Sequence, residues 1–231
     1  MQLVKRLVLW TLVLFPMLLT LIILPTLSDE VPMHFDFSNE VTRFGNKYEM
    51  LLTPVFIIAC ALLFLGIGYI TVKKGVEKAE TAAFFLYLFT LVFAVMLCAL
   101  HIVHIYAGNV ITQNPEQEVD IMRAIYVILG GLYLMFGILL PVCKRNYLFG
   151  FRTKQTLSCE TTWLKTHRRG GVSMMVYGML ALVFTLFISD WIIAIIISAT
   201  GASVLVCLIL FYSYRVYNKA QLIKSGGASD N

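Results

Sequence analysis

Apolar and polar residues alternate along this chain in blocks the size of whole membrane crossings. Six mainly apolar stretches run roughly Leu7 to Leu27, Met50 to Val72, Ala82 to Tyr106, Ala124 to Cys143, Val172 to Ser189 and Trp191 to Tyr212. A helix needs about 20 apolar residues to cross lipid, because every backbone amide must be satisfied internally where water is absent. The last two stretches nearly touch, but one helix from Val172 to Tyr212 would far exceed a bilayer's thickness, so Ser189-Asp190 is expected to form a tight outer turn. The pattern predicts an all-α integral membrane protein, a six-transmembrane-helix bundle with both termini cytoplasmic.

Charge orients that bundle. All but Arg43, Lys47 and Arg123 of the 18 basic residues fall in segments that share one side of the membrane. The opposite connections hold Asp29, Glu30, Asp36, Glu40, Glu49, Glu116, Glu118, Asp120 and Asp190. Short loops rich in Lys and Arg stay cytoplasmic, so residues 28–49 face outward and residues 144–171 inward. With 59% hydrophobic residues and a mean hydropathy of +0.83 there is too little polar surface for a soluble globule. The net charge of +5 then reads as topology and not as a nucleic-acid footprint, so no direct nucleic-acid partner is expected.

Details within the spans follow the same logic. Lys5-Arg6 precede the first span, and Leu24-Pro25-Thr26-Leu27 lacks a small-x-small cleavage pattern, which predicts an uncleaved signal anchor. Pro54 sits harmlessly near a helix start, whereas Pro16 is expected to kink the first helix. Gly66, Gly68, Gly130, Gly131, Gly137, Ser198, Thr200, Gly201 and Ser203 offer small surfaces for close helix contact. No Asp, Glu, Lys or Arg lies near the middle of a span, which argues against ion-driven transport. The five cysteines form no metal spacing and suggest no disulfide framework.

Two loops carry the candidate chemistry. In the outer one, alternating Met33, Phe35 and Phe37 suggest a short extended segment, and Ser38-Asn39 supplies turn chemistry. This stretch resembles the small extracytoplasmic-loop domain of SdpI-like membrane proteins, with matches at Pro32, His34, Phe35, Glu40, Arg43, Gly45 and Lys47. Asn39 stands where that pattern has a turn glycine, and Asn tolerates a left-handed backbone. Thr42 stands where it has an acid.

The inner loop resembles the signature segment of SdpI-type immunity proteins, N-Y-x-x-G-x-R-T, then T-L-S-x-E-x-x-W, then K-T-H-R-x-G-G. The matches run in unbroken register from Asn146 and Tyr147 through Gly150, Arg152, Thr153, Thr156, Leu157, Ser158, Glu160, Trp163, Lys165, Thr166, His167 and Arg168 to Gly170-Gly171. Lys154-Gln155 replaces a frequent Pro-Trp. Ser158 is expected to cap a short helix from Cys159 to about Arg168 that sets Trp163 and His167 on one face. Trp163 then either anchors the loop at the membrane interface or joins Arg152, Thr153, Thr156, Thr166 and His167 around a polar pocket or partner surface.

The resemblance divides the chain into residues 1–72, two spans with the outer loop 28–49, and an SdpI-like four-helix region at 73–231 with the inner loop 144–171, together one structural unit. It implies a multi-pass protein of the bacterial cytoplasmic membrane that gives immunity against a secreted antimicrobial peptide or protein toxin. It also implies a cytoplasmic transcriptional repressor as a second partner, alongside membrane lipids. A transporter or lipid-interacting envelope protein that confers resistance indirectly is the competing class. No cofactor is expected. Catalysis is not expected either, because Cys159 and His167 form no nucleophile-base signature. His34, His101 and His104, all toward the outer side, are candidates for a metal site.

Overall fold

The computed structural model describes residues 2–76, 78–114, 116–117, 119–188 and 190–226. Glu118, and the Ser189 half of the Ser189-Asp190 turn, lie outside them. The described residues form seven helices and one β-hairpin: α1 (Gln2–Ile23), β1 (Glu30–Phe35), β2 (Val41–Asn46), α2 (Leu52–Lys73), α3 (Ala79–Gln113), α4 (Ile121–Leu139), α5 (Lys154–Ser158), α6 (Glu160–Phe184) and α7 (Trp191–Gly226). Among the described residues, five helical segments are long and apolar enough to cross a membrane: Leu3–Thr26, Lys47–Lys73, Ala79–Gln113, Ile121–Val142 and Ile192–Leu222. They carry broad exposed apolar faces, as at Leu7, Leu18, Ile22, Leu63, Ile70, Ile196 and Leu208. Such faces are stable only against lipid, so the fold is that of a helical membrane protein.

The long helix α3 is the hub. Both α1 and α2 pack on it, and its C-terminal half receives β1. Buried Thr20 ties α1 to α3: its hydroxyl donates to the Pro16 carbonyl and accepts from Nε2 of His101, each at 2.7 Å. On the other side of α3, α4 lies closely along α6. A Cβ on Gly137 would come within 2.7 Å of the Met175 amide nitrogen, and one on Gly178 within 2.8 Å of the Gly130 carbonyl oxygen. Glycine is therefore what permits this backbone approach. Gly130 and Gly137 thus act as small packing surfaces, whereas Gly66 and Gly131 face open space.

Several local expectations change. The outer loop is a two-stranded antiparallel hairpin, a departure from an all-α fold, irregular between Pro32 and His34 because proline offers no N–H to the ladder. Met33 and Phe35 are half-buried with His34 exposed between them, while Phe37 sits exposed at the turn. Asn39 takes a φ of 65°, the left-handed backbone its position requires. At the inner end, the short helix and the span expected from Val172 are one continuous helix, α6, with Gly170 and Gly171 buried inside it. Ser158 does not cap it; its hydroxyl donates to the Gln155 carbonyl at 3.1 Å, and Ser158 instead ends α5.

Candidate functional site

The inner loop folds into a compact plug against the ends of α3, α4 and α6. Asn146, 1% exposed, organises its first turn: Oδ1 accepts from the amides of Leu148 and Phe149 at 2.8 and 2.7 Å, while Nδ2 donates to the Lys144 carbonyl at 2.9 Å. That turn places Phe149 in a stack with Phe85, 5.5 Å between centroids. Thr153 caps α5 by accepting from the Thr156 amide, and the buried Thr156 hydroxyl donates to the Phe151 carbonyl at 2.7 Å. Arg152 is exposed and donates to the Tyr147 carbonyl.

Trp163 and His167 form the centre of the plug. Trp163 is completely buried, and its indole N–H donates to the Cys143 carbonyl at 2.7 Å. The interfacial anchor is thereby overturned, since the donor that would have stayed wet finds a buried carbonyl instead. The His167 imidazole stacks on the Trp163 ring at 3.9 Å. Its Nδ1–H donates to the Trp163 carbonyl at 2.9 Å, and Nε2 accepts the Phe151 amide at 3.0 Å. A carbonyl only accepts and an amide N–H only donates, so these partners fix the neutral Nδ1–H tautomer. Burial pushes the imidazole below its usual pKa, and the bond to the Trp163 carbonyl offsets that in part. With its lone pair committed to Phe151, His167 does not present a general base.

Gly150 makes this possible. Its φ of 98° is closed to most side chains, and a Cβ there would collide with His167 Nε2. The structure therefore brings Gly150, Thr153, Thr156, Trp163 and His167 together, but as an interlocked core and not an open pocket. Thr166 is fully buried beside them, its hydroxyl without a protein partner, as is that of Thr162 one turn earlier.

The outer residues form a second cluster. His104 Nε2 donates to the Pro32 carbonyl at 3.0 Å, and Phe35 meets the His104 ring edge-on. His34 pairs with the Thr42 hydroxyl at 2.6 Å, and Arg43 with Glu49 at 2.9 Å. Gly45 leaves room for that pair, since a Cβ there would strike the Glu49 carboxylate. Asn39 fastens the turn to α4, donating to the Asp120 carboxylate at 3.1 Å and accepting from the Met122 amide at 2.9 Å. The three histidines have separate partners, and no group of three metal-ligating side chains occurs among the described residues, so these candidates are not gathered into a cluster there.

Two features go beyond the sequence reading. One is the turn-organising role of Asn146, which the sequence shows only as the first residue of the signature segment. The other is a basic groove between α6 and α7, lined by Lys165, Arg169, Arg215 and Lys219, each pair at i, i+4.

Residues 142–214 match the model of the SdpI/YfhL protein family, and residues 11–58 match a domain of unknown function, DUF1648. Over 198 residues the chain is 23% identical to Immunity protein SdpI of Bacillus subtilis (strain 168), covering 85% of this chain and 89% of that protein. No solved structure matches the chain. The hairpin lies inside one matched region and the plug inside the other, and the chain is a multi-pass cell-membrane protein similar to Immunity protein SdpI.

Proposed function

We propose that this chain is an immunity factor that protects a bacterial producer against a secreted antimicrobial peptide or protein toxin. The observation that carries the reading is the similarity to Immunity protein SdpI along nearly the full length of both chains. In the proposed topology α6 is a sixth crossing: from Val172 onward it is apolar, and it packs along α4 and α7. Its cations lie in the first half, so both termini and the plug face the cytoplasm.

The outer hairpin is the proposed toxin-facing element. It exposes Phe37 and Phe44, and beneath Phe37 an apolar cleft of about 450 Å³ opens between α4, α6 and α7, with Tyr126, Tyr133 and Tyr177 in its walls. An apolar cleft with a few hydroxyls suits a hydrophobic peptide segment. The exposed Arg152, Lys154 and Arg168 of the plug region are the surface proposed for a cytoplasmic repressor.

Expression in a toxin-sensitive host tests the proposal. Protection against the toxin of the same locus is expected, falling in Phe37→Ser and Tyr126→Ala variants that reach the membrane at normal levels. Intact protein that gives no protection, while vesicles containing it move a solute, would replace immunity by transport.

A further inference from the structure

The inner ends of α6 and α7 enclose a groove of about 590 Å³, with Lys165 and Arg169 on one wall, Arg215 and Lys219 on the other, and Thr161 and Tyr212 beside them. Residues four apart share a helix face, so each helix presents its two cations together. Among the described residues no carboxylate pairs with any of the four. Glu160, next to Thr161 in sequence, is turned to Arg145 at 3.1 Å and Lys78 at 3.9 Å. The arginines rest on rings instead, Arg169 4.8 Å from the Tyr212 centroid and Arg215 5.7 Å from that of Phe211. Ring contact engages the guanidinium face and leaves its edge N–H groups open to an acceptor.

A second cleft, of about 290 Å³, shares Arg169, Tyr212 and Arg215 with the first. It continues between the same helices past Gly170, Leu208, Ile209 and Phe211, toward the apolar stretch of α7. A cationic cup thus opens into an apolar slot. That combination matches an anionic head joined to a hydrocarbon tail, whereas a free phosphate or an acidic peptide would use the cup alone.

We propose that this joined groove binds an anionic glycerophospholipid, its phosphodiester held among Lys165, Arg169, Arg215 and Lys219 and one acyl chain lying against Leu208 and Ile209. The lipid would bridge α6 to α7 at the end where the plug joins α6. The inference does not depend on immunity, and its test uses no toxin.

The full chain, purified in a neutral detergent, is titrated with phosphatidylglycerol and with phosphatidylcholine while thermal stability and lipid retention by native mass spectrometry are followed. Phosphatidylglycerol is expected to be retained and to raise the melting temperature, and phosphatidylcholine to do neither. Arg169→Gln with Arg215→Gln should weaken retention by about tenfold or more. Lys73→Gln with Lys74→Gln, a control pair in another inner loop, should not. Leu208→Trp, at an exposed position, should lower retention by filling the slot with every charge intact. Equal retention of both lipids, retention unaffected by the arginine pair, or stabilisation by inorganic phosphate or a poly-glutamate peptide equal to that by phosphatidylglycerol would overturn the proposal. If the arginine variant misfolds, Lys165→Gln with Lys219→Gln carries the same comparison.

Discussion

Gly150→Ala is the sharpest test of the plug. The residue sits at φ 98°, and its added methyl group would point at His167 Nε2, the atom that accepts the Phe151 amide. Holding alanine in that sparsely populated backbone region costs about 1–3 kcal/mol. Displacing the imidazole leaves a buried donor and acceptor unpaired, about 1–3 kcal/mol more. The two together, roughly 2–6 kcal/mol, correspond in a chain of this size to a fall in melting temperature of about 5 °C or more. Moving His167 also disturbs its stack on Trp163, so indole fluorescence should shift to the red as the ring meets water. Gly131→Ala is the matched control, because nothing lies within 4 Å of that Cβ and a helical alanine gains about 0.5–1 kcal/mol over glycine. Thermal unfolding of the purified protein in detergent, read with fluorescence, decides the matter. If Gly150→Ala melts with the wild type and keeps its emission maximum, His167 is not held as described.

Three further outcomes are expected. His167 is held neutral below its ordinary pKa near 6.5, so the unfolded chain takes up the proton first; stability from this site is complete above that value and is lost as pH falls below it. A His167→Gln variant should flatten that part of the stability-pH curve between pH 7 and 5, and identical slopes would refute the assignment. Trp163→Phe keeps the ring but leaves the buried Cys143 carbonyl without its donor, a loss of about 1–3 kcal/mol measurable by thermal unfolding. Asn39→Gly retains the left-handed turn and removes both tethers to α4, so hydrogen exchange in β1 and β2 should quicken with little change in the inner helices, whereas Asn39→Ala adds about 1–2 kcal/mol of backbone strain.

Much of this architecture was legible because lipid imposes simple rules on sequence. Apolar runs located the long helices, and the left-handed backbone at Asn39 was signalled by the turn glycine that the resembling pattern has there. The continuity of α6 was not legible. Gly170-Gly171 reads as a breaker in isolation, yet both glycines sit in mid-helix, Gly171 where its missing side chain lets α6 approach the Gly137 carbonyl and Pro141 of the preceding segment. The role of Trp163 was hidden for a related reason. An indole followed by Lys and Arg looks interfacial until the Cys143 carbonyl, 20 residues earlier in the chain, is folded onto its N–H. The groove cations were visible as two i, i+4 pairs, but only the relative rotation of α6 and α7 sets them facing one another.

That rotation connects the two faces of the molecule. The hairpin is tied by Asn39 to the first turn of α4, and α4 meets α6 backbone to backbone at Gly130, Gly137, Gly171 and Gly178. Backbones this close, with Leu134, Met175 and Leu182 packed against the glycines, couple a displacement of α4 to α6. The inner half of α6 in turn bears Trp163 and His167, locked into the plug, and on its exposed side Lys165 and Arg169 of the groove. A ligand at the hairpin can influence the plug only if it binds two positions of this α4–α6 pair with different affinity. Because the plug engages one side of α6 and the groove lies on its exposed side toward α7, the proposed anionic lipid would add its contacts where the plug makes none.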